Sequence, residues 1–374
     1  STKFVGKIMW FTVCIKSRKD IKMIKREEIK RLTLYTGSNG KKGCACNCIG
    51  CSQERYGRSN PFYQGTKEQV KEMMELIPNV KDCIILGNPD PCIDPEFCNW
   101  VAKYLIQKGV RVRFSSSGFN AIRTIKILLK DLDVNYIDYM SYSIDTVDQE
   151  LLNKLRGKKI SLNEVNDAIS YCLELNVRPK IQPTLWRINM EGYKELVEYY
   201  LERGVRWFSF HVGSMESFDV KKEELQHLSP KEWISIRNEL MDMSIKRNFS
   251  IHMPYMYMTE TEFENYKKER GDKCIPVQLR NTQIWLEKDQ LRTTHCPLLR
   301  EVRNFEYDLR TMDQKKIDFS ISETGYCPAA KTCQGEENAA RSLNGNSDEY
   351  IIDGERYYTI CRSYNFNHNR PIIY

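Results

Sequence analysis

Cys44, Cys48 and Cys51 stand in Gly43-Cys44-Ala45-Cys46-Asn47-Cys48-Ile49-Gly50-Cys51 with the spacing C-x3-C-x2-C. Three thiolates on one tight loop can hold three corners of a cubane iron–sulfur cluster and leave the fourth iron without a protein ligand. Electron-transfer clusters ordinarily take four cysteines. An open iron is a place for a substrate or cofactor to coordinate, by the logic that separates catalytic from structural metal sites. Zinc and disulfides are the competing readings. Zinc usually takes paired C-x2-C units or added histidines. Here Cys48 and Cys51 form one such pair, and the five histidines are scattered. Disulfide frameworks suit short secreted chains that lack a core, whereas 374 residues can bury a large core without staples. Cys46 is an extra thiol inside the loop; Cys46-x-Cys48 is too tight for both to share a cubane, so Cys46 is read as a non-ligand.

The elements that position this loop read as strands alternating with helices. Arg31–Tyr35 is the strand that feeds the cysteines. Helical periodicity follows at 67–76, where Val70, Met73, Met74 and Ile77 repeat at three- and four-residue steps. Cys83-Ile84-Ile85-Leu86-Gly87 is a continuous apolar run of the kind that builds a buried parallel strand. Further strands are expected at 110–115, 139–144, 178–185 and 207–212. Helices are expected at 95–108, 121–132, 162–175 and 193–203. Six such units in sequence argue for an α/β fold with a parallel sheet, a partial (β/α)6 TIM-type barrel, with a flavodoxin-like open sheet as the competing architecture. Residues 4–13 read as the start of an N-terminal hairpin. Beyond about 214 the pattern changes. Ser229-Pro230 opens another helix with Glu232 in its first turn, and a β-hairpin follows from Val277 with its turn at 288–290. The domain boundaries expected are an N-terminal hairpin extension at 1–30, a barrel core at 31–270 and a small cysteine-rich module at 271–374.

In parallel α/β folds ligands bind at the C-terminal ends of strands. The second strand ends in Gly87-Asn88-Pro89-Asp90-Pro91, with Asp94-Pro95-Glu96-Phe97 beyond it. The third ends in Ser115-Ser116-Ser117-Gly118 and the fourth in Ser141-Tyr142-Ser143-Ile144-Asp145, with Arg156-Gly157 further on. The fifth carries Gln182 and Thr184. Ser143 and Asp145 are two apart on a strand and share a face, as do Gln182 and Thr184. These motifs, in order behind C-x3-C-x2-C, resemble the radical S-adenosylmethionine (SAM) superfamily. The resemblance implies that Cys44, Cys48 and Cys51 hold a 4Fe–4S cluster whose open iron chelates the amino and carboxylate groups of SAM, and that one electron cleaves SAM to a 5′-deoxyadenosyl radical. It implies SAM contacts at Asp90 and Pro91, in the place of the family's Gly-Gly-Glu-Pro turn, and at Ser117, Ser143, Asp145 and Gln182. Two departures stand out. Asn88-Pro89 replaces Gly-Gly, and Gly50 stands before the third cysteine where an aromatic residue usually supports the adenine. That support is then expected from Tyr56 or Phe62.

Cys327-Pro328-Ala329-Ala330-Lys331-Thr332-Cys333-Gln334-Gly335 resembles part of the auxiliary-cluster (SPASM) domain of anaerobic sulfatase-maturating and peptide-modifying radical SAM enzymes. That domain normally has seven cysteines and two clusters, and a shortened "twitch" form has one. Position 324, where a C-x2-C partner would start, is Thr. The resemblance thus implies one auxiliary 4Fe–4S cluster on Cys296, Cys327, Cys333 and Cys361, with Cys274 in reserve. A structural zinc site and free buried cysteines remain the alternatives there. Cys14, Cys83, Cys92, Cys98 and Cys172 are read as core residues or spectators, since free cysteine is among the most buried residue types.

Composition is that of a globular protein, 41 % hydrophobic and 29 % charged, with net charge +7. No apolar run approaches the ~20 residues that span a bilayer, so no membrane partner is expected. With no signal-peptide pattern in view, a cytoplasmic location is expected. The basic stretch 16–31 is read as a solvated lysine-rich face. The pI near 8.6 and the lack of basic residues interleaved with aromatics argue against nucleic acid. The family resemblance implies hydrogen abstraction by the SAM-derived radical, fed by a flavodoxin- or ferredoxin-type electron donor. The first functional reading is maturation of ribosomal peptides by crosslink formation. Only about 40 residues precede the cysteine loop, so a separate peptide-recognition protein is then expected. The second is dehydrogenation, epimerisation or rearrangement of a small molecule such as a sugar, nucleotide or amino-acid derivative. A non-enzymatic electron carrier or zinc protein is the third class, and the strand-end motifs count against it. Cys92, Cys98, Tyr142 and Tyr255 are candidate hydrogen donors, and no catalytic residue is assigned.

Overall fold

A computed structural model describes residues 25–36, 46, 48–49, 65–87, 90–157, 159–212, 228–254, 258–262, 264–265, 281–287, 289–294, 307–314, 349–352, 354–358, 364–367 and 370–373. Strand β1 (Arg31–Tyr35) leads through the cysteine loop to helix α1 (Lys67–Leu76). Thr66 starts that helix with a capping box: its Oγ1 accepts from Gln69 N at 3.1 Å, and its own N–H donates to Gln69 Oε1 at 2.9 Å. Then come β2 (Asp82–Ile85), α2 (Pro95–Gln107), β3 (Arg111–Ser116), α3 (Ala121–Leu128), β4 (Ile137–Tyr142), α4 (Gln149–Arg156), α5 (Leu162–Glu174), β5 (Pro179–Ile181), β6 (Thr184–Leu185), α6 (Tyr193–Glu202), β7 (Trp207–Ser209) and β8 (His211–Val212). Asp94 caps α2 with Pro95 in its first turn, and Asp148 caps α4, accepting from Glu150 N and Leu151 N.

The fold continues with α7 (Pro230–Arg247), β9 (Ser250–Pro254), β10 (Met258–Thr259), the hairpin β11 (Asn281–Glu287) and β12 (Gln290–Thr294), and β13 (Tyr307–Asp308). The last described strands are β14 (Glu349–Ile352), β15 (Glu355–Tyr358), β16 (Tyr364–Asn367) and β17 (Arg370–Ile373). The main sheet runs β13-β12-β11-β1-β2-β3-β4-β5-β7-β9-β16-β17. From β11 through β9 every neighbouring pair is parallel. This is the α/β sheet of a partial TIM-type barrel. It does not have the reversed strand order of a flavodoxin-like sheet.

Four departures from the sequence expectations have physical causes. The strands expected at 178–185 and 207–212 are each divided. Pro183 lacks the N–H that a continuous ladder needs, so β5 stops and a two-stranded extension, β6 with β8, stands above the sheet. A seventh parallel strand, β9, follows α7; Ser-Ile-His-Met-Pro carries too short an apolar signal to announce it. Helix α4, eight residues long, shows only Leu152 and Leu155 to the core. Finally, β11 lies parallel to β1, so the hairpin adds to the barrel sheet directly. The hairpin expected at 4–13 lies outside the described residues.

The strand register divides the sheet into two faces. Leu32, Leu34, Cys83, Ile85, Phe114 and Ile181 pack with Val70, Met73, Val101 and Ile125 of the helices in one continuous core. The opposite, inward face is polar: Arg113, Ser115, Lys180, Ser209 and His252 occupy it by alternation. Parallel sheets covered by helices are usually apolar on both faces, so this polar lining marks the space inside the barrel as a place for chemistry.

Candidate functional site

The described part of the cysteine loop docks on the end of α4. Ile49 N donates to the Leu155 carbonyl at 2.9 Å, and Ile49 packs against Leu155 and Trp186. Next in sequence, Arg156 extends its guanidinium to Cys48 Sγ at 4.0 Å. The same guanidinium grips Asp145 in a two-point contact, Nε to Oδ2 at 2.5 Å and Nη2 to Oδ1 at 2.8 Å. Asp145 is 5 % exposed, and its Oδ1 also accepts from Thr184 N at 2.8 Å. Asn189 Nδ2 donates to the Asp145 and Thr184 carbonyls, each at 3.0 Å. The ends of β4 and β6, helix α4 and the cysteine loop are thereby tied together around one buried ion pair. Such bidentate pairs fix geometry as well as charge.

Cys48 is half-buried, and its hydrogen bond with Cys46 and then its burial push its thiol well above the ordinary range, against the pull of Arg156. A thiol must deprotonate to bind metal, and a guanidinium beside the sulfur favours that form. Cys46 is buried and also donates to Ser117 Oγ at 3.4 Å. Cys44 and Cys51 lie outside the described residues, as do Cys274, Cys296, Cys327, Cys333, Cys361, Tyr56, Phe62 and Tyr255. Among the described residues no group of three or more metal-ligating side chains converges.

Asp90 is buried at the end of β2 and spends its carboxylate on the neighbouring strand end. Its Oδ1 accepts from Cys92 N at 2.9 Å and from Ser116 Oγ at 3.0 Å, and its Oδ2 accepts from Ser117 N. Pro91 follows it as the first residue of a short 3-10 turn. Gly87 sets this corner with φ +68°, and a Cβ there would meet the Asp90 carbonyl oxygen at 2.5 Å, so only glycine fits. Ser117 Oγ also accepts from Phe119 N at 3.3 Å. Ser143 and Gln182 are both half-buried. Ser143 N donates to Ser116 O at 2.9 Å, and Gln182 N to Tyr142 O at 2.8 Å. Asp90, Pro91, Ser117, Ser143, Asp145 and Gln182 thus gather at successive strand ends on the side of the sheet where Cys48 lies. Cys98 and Tyr142 lie in the core between helices and sheet: Cys98 on α2 meets Thr36 Oγ1 at 3.6 Å and Tyr142 on β4 meets Cys172 on α5 at 3.8 Å. Cys92 stays at the strand ends, half-buried, and burial followed by Asp90 pushes its thiol up.

Sequence reasoning missed two features. The Arg156–Asp145–Cys48 coupling joins residues far apart in the chain; its one legible trace is an arginine closing a helix that a carboxylate-bearing strand precedes. The inward basic residues Lys180, His211 and His252 were also missed, although polar residues alternating with apolar ones inside expected buried strands signal a lined interior.

Residues 39–200 match the family model of the Radical SAM superfamily. No curated protein matches the sequence. Among solved structures the chain resembles Streptococcus suis SuiB bound to S-adenosylmethionine, at 16 % identity and TM-score 0.54, over 82 % of this chain and 72 % of SuiB. It resembles SuiB bound to the precursor peptide SuiA at 16 % identity and TM-score 0.53, over 75 % of this chain and 64 % of SuiB. It resembles anSMEcpe with bound AdoMet and Cp18Cys peptide at 14 % identity and TM-score 0.58, over 84 % of this chain and 92 % of the other. The first SuiB structure matched is likewise spanned over 64 % of its length, just under two thirds. These likenesses establish a shared fold. Among the described residues no helix is long and apolar enough to cross a membrane.

Proposed function

We propose that this chain is a radical SAM enzyme that modifies a peptide by hydrogen abstraction and crosslink formation. The observation that carries the reading is the convergence of the cysteine loop, through Cys48 and Arg156, with the polar strand ends of a parallel barrel. The donor set fits a cluster with an open iron: thiolates from Cys44, Cys48 and Cys51 would hold it, with Arg156 beside Cys48 offsetting their negative charge. Held by those thiolates, a cluster would supply the single electron needed to cleave SAM reductively into methionine and a 5′-deoxyadenosyl radical able to take a substrate hydrogen atom.

The chain's own residues bind, orient and exclude water. The turn at Asp90 and Pro91 would offer backbone carbonyls to the SAM ammonium group, with the Asp90 carboxylate holding that turn against Ser116 and Ser117. Ser143, Gln182 and Ser117 provide polar atoms for its ribose and carboxylate, while Asp145 holds Arg156 in place. The helix-side core closes the outer face of the sheet, so a radical formed inside would be shielded from solvent. Cys296, Cys327, Cys333 and Cys361 are the ligands of a second, auxiliary cluster in this reading, which would carry away the surplus electron of an oxidative crosslink. A flavodoxin- or ferredoxin-type protein would deliver the first electron, and a separate recognition protein would present the peptide.

The peptide reading draws support from the likeness to SuiB with its precursor peptide and to anSMEcpe with its bound peptide. Anaerobic incubation of the reconstituted enzyme with SAM and dithionite tests the core of the proposal. Formation of 5′-deoxyadenosine, lost in Cys48→Ala, is expected. Absence of that product from protein that retains a full iron complement would overturn it.

A further inference from the structure

Below the strand-end site, the barrel interior holds a second cluster of titratable groups. Lys180 of β5 is 1 % exposed, and its ammonium lies 3.9 Å from the centroid of the Tyr139 ring. Strand pairing sets Lys180 beside Trp207 on β7, and Ser209 beside His252 on β9. Alternation turns all four inward. His211, on β8, pairs with Thr184 at the mouth. Lys180 acts electrostatically on both histidines, and Arg156 acts on His211, so a column of basic groups runs from Lys180 to the edge of the proposed SAM site.

Three observations make this column a ligand site and not inert packing. First, the carboxylates along the inner wall are committed to arginines. Asp82 pairs with Arg111 and Arg113, Asp138 with Arg113 and Arg178, and Asp145 with Arg156. Asp138 acts on Lys180 as well as on its arginines, yet among the described residues along this wall Lys180, Arg111, Arg113, Arg156 and Arg178 face only Asp82, Asp138 and Asp145, an excess of positive charge. Second, His211 and His252 are half-buried and not sealed into the apolar core. Third, Ser209 Oγ is fully buried on the inward face and has no hydrogen-bond partner, a cost of roughly 1–3 kcal/mol that a ligand oxygen would remove. The electrostatics agree. Burial and then Arg113 lower Lys180 to about 7. Burial and then Lys180 lower both histidines to about 4. A nearby anion would reverse each of these shifts.

We propose that the barrel interior carries an anion subsite for the substrate, in which Lys180, His252, His211 and Ser209 receive a carboxylate and so place the adjoining carbon beneath the SAM site. This deepens the functional reading above and rests on it. For a peptide, the carboxylate is an acidic side chain or the chain's C-terminus.

The test uses the reconstituted, oxidised holoenzyme labelled with carbon-13 at histidine Cε1, titrated at constant ionic strength. The probes are N-acetyl-aspartate amide (a side-chain carboxylate), N-acetyl-glycine (a terminal carboxylate) and the neutral N-acetyl-glycinamide. Saturable shifts of the His211 and His252 resonances with a carboxylate probe are expected, along with a rise of their titration midpoints from about 4. The stronger of the two carboxylates identifies the source. Lys180→Met should weaken that binding about ten-fold or more, as loss of a charge-assisted contact implies. Should that variant fail to fold, His252→Gln serves in its place. Equal shifts with the neutral amide, no saturable shift with either carboxylate, or unchanged affinity in the variant would overturn the subsite. 5′-Deoxyadenosine formation in the same preparation separates the two proposals. Intact SAM cleavage without carboxylate binding removes the subsite alone, and loss of SAM cleavage removes the functional reading.

Discussion

Replacing Asp145 by Asn tests the buried ion pair that ties the cysteine loop to the sheet. In the native fold Asp145 takes two bonds from Arg156, at 2.5 and 2.8 Å, and one from Thr184 N at 2.8 Å. Asn keeps one acceptor oxygen, so the Thr184 contact can survive. The Arg156 guanidinium, whose side chain is only 15 % exposed, loses its counter-charge. Removing one partner of a buried pair costs about 3–5 kcal/mol because the other charge is left uncompensated. The remaining oxygen and the nearby Cys48 sulfur put the expected loss at the lower end, about 3 kcal/mol, or a factor of about 100 in the folded-to-unfolded ratio. Urea denaturation of reduced, cluster-free protein measures it. Arg156→Met alone should also destabilise, and the double variant should recover part of the loss, since an apolar replacement of the whole pair is often tolerated. A loss below about 1 kcal/mol for Asp145→Asn, or strictly additive single effects, would refute the view that this pair organises the site.

Gly87→Ala forces a side chain into a φ of +68° and against the Asp90 carbonyl oxygen at 2.5 Å; a loss of about 2 kcal/mol or more in urea denaturation is expected. Cys46→Ala should leave iron content at the wild-type level, because Cys46 bonds Ser117 and is not a ligand in this account, whereas Cys48→Ala should deplete the SAM-binding cluster; colorimetric iron counting compares them. His211 and His252 have folded-state values lowered to about 4 from 6.5. The unfolded chain therefore binds more protons between those values, and stability should rise with pH across that window. His252→Gln should flatten the rise in denaturation midpoints measured from pH 4 to 7.

The barrel was legible where local signals agreed with the global fold. Thr66 and Gln69 announce the start of α1, Asp94-Pro95 that of α2, and Ser229-Pro230 with Glu232 that of α7. Each is a side chain that satisfies a backbone group next to it, so neighbouring sequence suffices. Helix α4 was illegible because only Leu152 and Leu155 of its eight residues are buried, too few for a periodic pattern. Strand β9 was hidden by its own polar inward residues: Ser250 and His252 interrupt the apolar signal of Ile251 and Met253. The strand-end residues could be placed from their order along the chain. What they bond to could not, because Arg156 reaches Asp145 and Cys48 only after a loop, a strand and a helix have been folded against one another. The same holds for Lys180, His211 and His252, which three separate strands bring to one interior.

The central claim is that Cys44, Cys48 and Cys51 hold a cluster with an iron open to SAM. Electron paramagnetic resonance of the anaerobically reconstituted, dithionite-reduced protein, recorded with and without SAM, tests it most directly. The account predicts a reduced 4Fe–4S signal whose g-values shift when SAM is added, and which is lost in Cys48→Ala while any auxiliary signal persists. A spectrum that SAM leaves unmoved in fully reconstituted protein would contradict it.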